Sequence, residues 1–128
     1  MPQILLVDDQ PDSANMLRLV LEGRGYQVVC GRSGDDGLRL LATGTTPDAI
    51  ISSLHMAGGD GLTFLGQVRR NPLWSSIPFV MMSAIAAEDR RQAAFQCGAD
   101  AFLLKPFRFE DLNNILCNLG VLPARVSH

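Results

Sequence analysis

Short apolar runs that end on a polar group recur along this chain, and the stretches between them carry helical patterning. Ile4-Leu5-Leu6-Val7 leads into Asp8 and Asp9, Phe79-Val80-Met81-Met82 into Ser83, and Phe102-Leu103-Leu104 into Lys105 and Pro106. Ser53 stands at the end of a run of the same kind. Apolar runs of this length, separated by helices, are the pattern of parallel strands buried on both faces. In open α/β sheets, chemistry gathers at the carboxyl ends of such strands. Two carboxylates, a hydroxyl and an ammonium are therefore expected in one crevice.

Strands are predicted near 3–8, 27–32, 48–53, 77–83 and 101–104, and helices near 12–23, 34–43, 60–70, 87–97 and 109–119. Such alternation is the signature of βαβ units. Helix stops agree with it: Gly23 and Gly25 bracket the first helix end, Gly44 follows the second, Pro72 the third and Gly98 the fourth. In the last helix Phe109, Leu112, Ile115, Leu116 and Leu119 recur at helical spacing and are assigned to packing on the sheet. There is no internal repeat. Residues 1–120 are read as one domain, and 121–128 as a tail or the start of a linker.

With 128 residues, 47% of them hydrophobic, the chain can bury one real core. A formal net charge of −2 with interspersed signs offers no basic stripe for nucleic acid and no polybasic face for a membrane. No apolar stretch approaches the roughly 20 residues of a membrane span, so a cytoplasmic protein is expected. Cys30, Cys97 and Cys117 are widely spaced among apolar or small residues. They read as reduced structural thiols rather than as disulfides or a zinc site.

Val7-Asp8-Asp9, Pro47-Asp48, Asp60-Gly61, Ser83-Ala84, Gly98-Ala99-Asp100 and Lys105-Pro106-Phe107, in this order, resemble the receiver domain of two-component response regulators. The resemblance covers roughly residues 3 to 120. It implies a flavodoxin-like, doubly wound five-stranded parallel sheet in the order 2-1-3-4-5, with right-handed crossovers. It also implies that position 53 is the phosphoacceptor, an aspartate in the family. Here it is Ser53, the mark of a degenerate pseudo-receiver. The loop Leu54-His55-Met56-Ala57-Gly58-Gly59-Asp60-Gly61 departs further, with Ala57 at the usual proline and an added Gly59, and is expected to be more mobile than usual.

By the same resemblance, Asp8, Asp9 and the backbone carbonyl of His55 are the magnesium ligands, Asp9 directly and Asp8 through water. Mg²⁺ wants oxygen donors and negative charge, and Ser53 removes one carboxylate, so binding is expected to be weak or absent. An ordinary alternative pairs Asp8 or Asp9 with Lys105. Ser83, Phe102 and Lys105 match the family's switch residues, and the bond before Pro106 is cis in the family. Equally, Ser83 could end a strand, Phe102 could be fixed core, and Lys105 could satisfy buried acids.

The leading reading is a signalling module acting without phosphorylation and not an enzyme. Its partner is a signalling protein or a histidine kinase, or a second copy of the chain. The face implied by the resemblance is the fourth helix, fifth strand and fifth helix, near Ile85, Ala86, Ala87 and the stretch Glu88-Asp89-Arg90-Arg91. The competing reading is Mg²⁺-dependent phosphotransfer onto Ser53, Asp8 or Asp9, for which a serine needs a general base beside it. A haloacid-dehalogenase-like phosphatase needs a second aspartate two positions after the first, where Asp8 has Gln10 and Asp9 has Pro11. A flavin or nucleotide carrier would need a glycine-rich loop after the first strand, and there is none.

Overall fold

The computed structural model describes residues 1–56 and 60–123. Along them run β1 (Gln3–Val7), α1 (Pro11–Gly23), β2 (Gln27–Gly31), α2 (Gly34–Ala42), β3 (Ala49–Ser53), α3 (Gly61–Arg70), β4 (Phe79–Ser83), α4 (Glu88–Gln96), β5 (Ala101–Leu104) and α5 (Phe109–Asn118). The strands form one parallel sheet in the order β2-β1-β3-β4-β5. This is the flavodoxin-like, doubly wound topology that the resemblance implied.

Period-two alternation splits the central strands between two layers. Ile4, Leu6, Ile51, Val80, Met82 and Leu103 pack on one side with Leu21 of α1 and with Leu112 and Leu116 of α5. Leu5, Val7, Ile50, Phe79 and Met81 pack on the other with Leu41 of α2, Phe64, Leu65 and Val68 of α3, and Ala94 of α4. Phe109, Ile115 and Leu119 are partly buried against the first layer, so the apolar stripe of α5 does face the sheet. Among the described residues of α4, only Ala94 is buried, and the Glu88–Arg91 run is exposed.

Local chemistry sets the helix starts. Pro11 opens α1 at a position where its missing N–H costs no bond. The Ser33 hydroxyl accepts the Asp36 amide at 3.1 Å at the start of α2, and the Asp60 carboxylate accepts the Thr63 amide at 2.9 Å at the start of α3. Asp48 and Gln3 bond reciprocally, each backbone amide donating at 2.7 Å, one to a backbone carbonyl and one to the Asp48 carboxylate. The Pro47-Asp48 motif thus fastens the start of β3 to β1.

Two expectations are corrected. Val121, assigned to the tail, is buried in the first core layer, and its carbonyl accepts the Tyr26 hydroxyl at 3.0 Å. The packed unit therefore runs at least one residue past 120. The three cysteines are free, as expected, but exposed, so the structural role read from their apolar and small neighbours does not hold.

Candidate functional site

Strand ladders carry each polar residue to the same edge of the sheet. The Asp8 amide donates to the Gly31 carbonyl at 3.0 Å, the Leu54 amide to Met82 at 2.7 Å, and the Lys105 amide to Ser83 at 2.7 Å. These bonds prolong the sheet just beyond the strand ends and aim Asp8, Ser53 and Lys105 into one crevice. Asp8 is 4% exposed and Ser53 6%, while Asp9 is half-buried beside them.

The Lys105 ammonium lies 3.3 Å from Asp8 Oδ2 and 3.5 Å from Ser53 Oγ. The other Asp8 oxygen accepts the Gln10 amide at 3.0 Å, which closes the turn into α1. A buried carboxylate is costly unless paired and hydrogen-bonded, and here both conditions hold. Of the partners considered for Lys105, the ion pair forms with Asp8. The Lys105–Pro106 peptide bond is cis.

Ser83 is 3% exposed, but its hydroxyl turns back on its own chain. It accepts the Ile85 amide at 3.0 Å and donates to the Ile85 carbonyl at 3.2 Å. In this structure it ends β4. Phe102 is half-buried against the second core layer and lines a small groove with Ala86, Ala87, Glu88, Arg91 and Leu104. Of the magnesium-loop residues, His55 is exposed, and Ala57, Gly58 and Gly59 lie outside the described residues.

Among the described residues no three His, Cys, Asp or Glu side chains converge to hold a metal. Two carboxylates remain at the crevice, and one of them is already compensated by an ammonium at 3.3 Å.

Three features of the site escaped the sequence reading. Ser52 Oγ donates to the Ser53 carbonyl at 3.0 Å, bracing the strand end from the opposite face. The Gly61 amide donates to the Leu54 carbonyl at 2.7 Å, and a Cβ at Gly61 would collide with the Ser53 carbonyl oxygen. Only glycine lets the start of α3 approach the crevice this closely. Arg69 reaches from α3 to the carbonyls of Gly98 at 2.9 Å and Ile77 at 2.7 Å and to the Asp100 carboxylate at 3.0 Å. Asp100 in turn accepts the Phe79 amide at 2.8 Å, so this strut sets where β4 begins.

A doubly wound sheet in the order 2-1-3-4-5, with an acid at the end of β1 and a lysine after β5, fits the receiver architecture, and the chain belongs to the response regulator receiver domain family, whose model matches residues 4–116. It is a two-component response regulator receiver domain. Over 112 residues it is 37% identical to the KDP operon transcriptional regulatory protein KdpE of Escherichia coli (strain K12), covering 88% of this chain and 48% of that protein. It thus spans about half the length of that relative. Over 103 residues it is 36% identical to an uncharacterised 14.6 kDa protein of Leptolyngbya boryana, covering 80% of this chain and 78% of that one. A putative response regulator from Chloroflexus aurantiacus J-10-fl superimposes with a TM-score of 0.87 at 36% identity, over 93% of this chain and 98% of that one. TrrA from Thermotoga maritima, solved in complex with Mg²⁺ and BeF, gives a TM-score of 0.82 at 25% identity, over 93% of this chain and 99% of that one.

Proposed function

We propose that this receiver domain signals without phosphorylation, as a regulatory module that binds a protein partner, and that it is not itself an enzyme. The observation that carries the reading is the Lys105 ammonium held between the Asp8 carboxylate and the Ser53 hydroxyl, at 3.3 and 3.5 Å. A neutral hydroxyl replaces the ionised nucleophile that phosphotransfer from phosphohistidine requires. Beside it, the nearest acid is engaged by two donors and is a poor general base. Ser83 Oγ is bonded to Ile85 at both donor and acceptor, which favours the resting arrangement. With no phosphoryl group to reward a change of state, the resting arrangement persists. In this reading Mg²⁺ binds weakly through Asp8, Asp9 and the His55 carbonyl.

The partner surface we favour is α4, β5 and α5. Ile85, Phe95 and Leu104 are exposed there at 51%, 39% and 43%. Apolar side chains at that density on one face suit a protein partner, a histidine kinase or a second copy of the chain better than nucleic acid. KdpE is a transcriptional regulator, and DNA contact in any longer protein would belong to a region outside this domain. No described helix is long and apolar enough to cross a membrane. We accordingly favour a cytoplasmic setting.

The test is titration with Mg²⁺ and beryllium fluoride while amide resonances of Asp9, Ser83, Phe102 and Lys105 are followed. The expected result is no saturable shift at Ser83 or Phe102. A saturable, fluoride-dependent shift at both would overturn the proposal in favour of a domain that still switches.

A further inference from the structure

β2 is an edge strand, with β1 its one neighbour in the sheet. The Gln27 amide donates to the Pro2 carbonyl and the Gly31 carbonyl accepts the Asp8 amide, so alternate residues from Gln27 turn their backbone groups toward β1. Val28 and Cys30 accordingly turn theirs outward, with no strand to receive them. Native sheets protect such an edge with a charge, a proline or a bulge. The strand Gln27–Gly31 has none of these, and its register with β1 is unbroken. One flank of α1 lies over the same edge. Met16 and Val20 line a cleft toward the β5–α5 connection, whereas the charges of Arg18 and Glu22, one helical turn apart, both act on the Cys30 thiol. Neither forms an ion pair among the described residues, and Arg18 Nε is buried without a hydrogen-bond partner there.

We propose that β2 is the interface between two copies of this chain, paired antiparallel about a twofold axis through Val29. That axis sets Val28 of each copy opposite Cys30 of the other, and the outward N–H and C=O groups of the two residues then exchange bonds as in a hydrogen-bonded antiparallel pair. The same axis lays α1 alongside α1 in the reverse direction, so Arg18 of each copy meets Glu22 of the other. One set of residues thus supplies both halves of every contact, as a closed dimer requires. Spacing supports the pairing. α1 packs over β2 and β1, and with strands about 4.8 Å apart the two helices would lie roughly 10 Å from each other, the separation of packed helices. Within one helix an arginine four residues before a glutamate is the weaker order of the pair, so the helix of the other copy offers the better match. β5 forms the opposite edge of the sheet, and this pairing leaves the α4–β5–α5 face open for a protein of another kind.

Sedimentation velocity over a concentration series measures self-association, and an engineered cross-link reads the register. Val28 packs on the α1 side of the sheet, which Cys30, two residues on, shares. In the proposed pair Val28→Cys faces the native Cys30 of the other copy with Cα atoms about 5.5 Å apart, inside the disulfide range. In a background carrying Cys97→Ser and Cys117→Ser, diamide should convert Val28→Cys to a covalent dimer, and adding Cys30→Ser should abolish that product. Arg18→Glu should weaken association by about tenfold, the scale of two exposed ion pairs turned into repulsions, and Glu22→Arg added to it should restore the parent's affinity. A parent that stays monomeric at every concentration, a Val28→Cys variant with no Cys30-dependent cross-link, or association unchanged by Arg18→Glu would overturn the proposal. Association lost on Leu104→Glu but kept in Arg18→Glu would place the second copy at β5 and overturn it equally.

Discussion

A hydroxyl at position 53 changes what Lys105 has to balance. With serine the ammonium meets one buried carboxylate at 3.3 Å, and Ser53 adds a neutral contact at 3.5 Å. Ser53→Asp would add a third carboxylate beside Asp8 and Asp9, so without metal we expect a lower melting temperature from like-charge repulsion. Added Mg²⁺ should reverse the loss, by about 2.7 kcal/mol at a hundredfold excess over its dissociation constant. Thermal melts of parent and variant with and without Mg²⁺ check this; the parent should respond far less. Asp8, Ser53, Ser83 and Lys105 were all legible because each follows an apolar run, and the sheet edge gathers strand ends. Which acid Lys105 would choose was not legible. That depends on side-chain reach across β1 and β5, which are not neighbours in the sheet.

At the scale of single elements, caps and struts hold the crevice in shape. Asp60 accepts from both the amide and the hydroxyl of Thr63, at 2.9 and 3.1 Å, and fixes the start of α3 against the Ser53–Leu54 segment. Asp60→Ala should cost about 1 kcal/mol, measured by urea denaturation, in line with the loss of an N-cap. The helix starting near residue 60 could be read from its apolar spacing and its stop at Pro72. Arg69 could not, since its partners lie across loops and its charge resembles any solvent-facing arginine at a helix end. In space it is 19% exposed and bridges α3 to the turns that begin β4 and β5. The Gly98-Ala99-Asp100 motif marked one end of that strut without revealing the other.

For the whole molecule, one buried hydroxyl ties the entry to β2 to the residues that follow α5. Tyr26 is 1% exposed and donates to Val121 across 95 residues of sequence. Burial, and secondarily the Cys117 thiol, push its phenol above the ordinary value. The folded state thus holds this proton more tightly than the unfolded chain. The linked stability is present below roughly pH 10 and is lost as pH rises from there through the raised folded value. Tyr26 is the single tyrosine, so tyrosinate absorbance of the folded protein should show one delayed transition. Tyr26→Phe should be less stable at neutral pH by about 1 kcal/mol, the usual worth of a buried hydrogen bond, and should lack the linked alkaline decline. The sequence pattern lost its helical period at Val121, which is why that residue read as tail; it is buried in a core layer that also holds Tyr26, far away in the chain. Across the whole molecule the alternation of strands and helices followed from periodicity and the strand order from the family resemblance, whereas the contacts that close the structure came from partners distant in sequence. The central claim, that the crevice accepts no phosphoryl group, is tested most directly by intact-mass measurement after incubation with acetyl phosphate and Mg²⁺. The parent should keep its mass while Ser53→Asp gains one phosphoryl group. A reproducible single phosphate adduct on the parent would contradict the account.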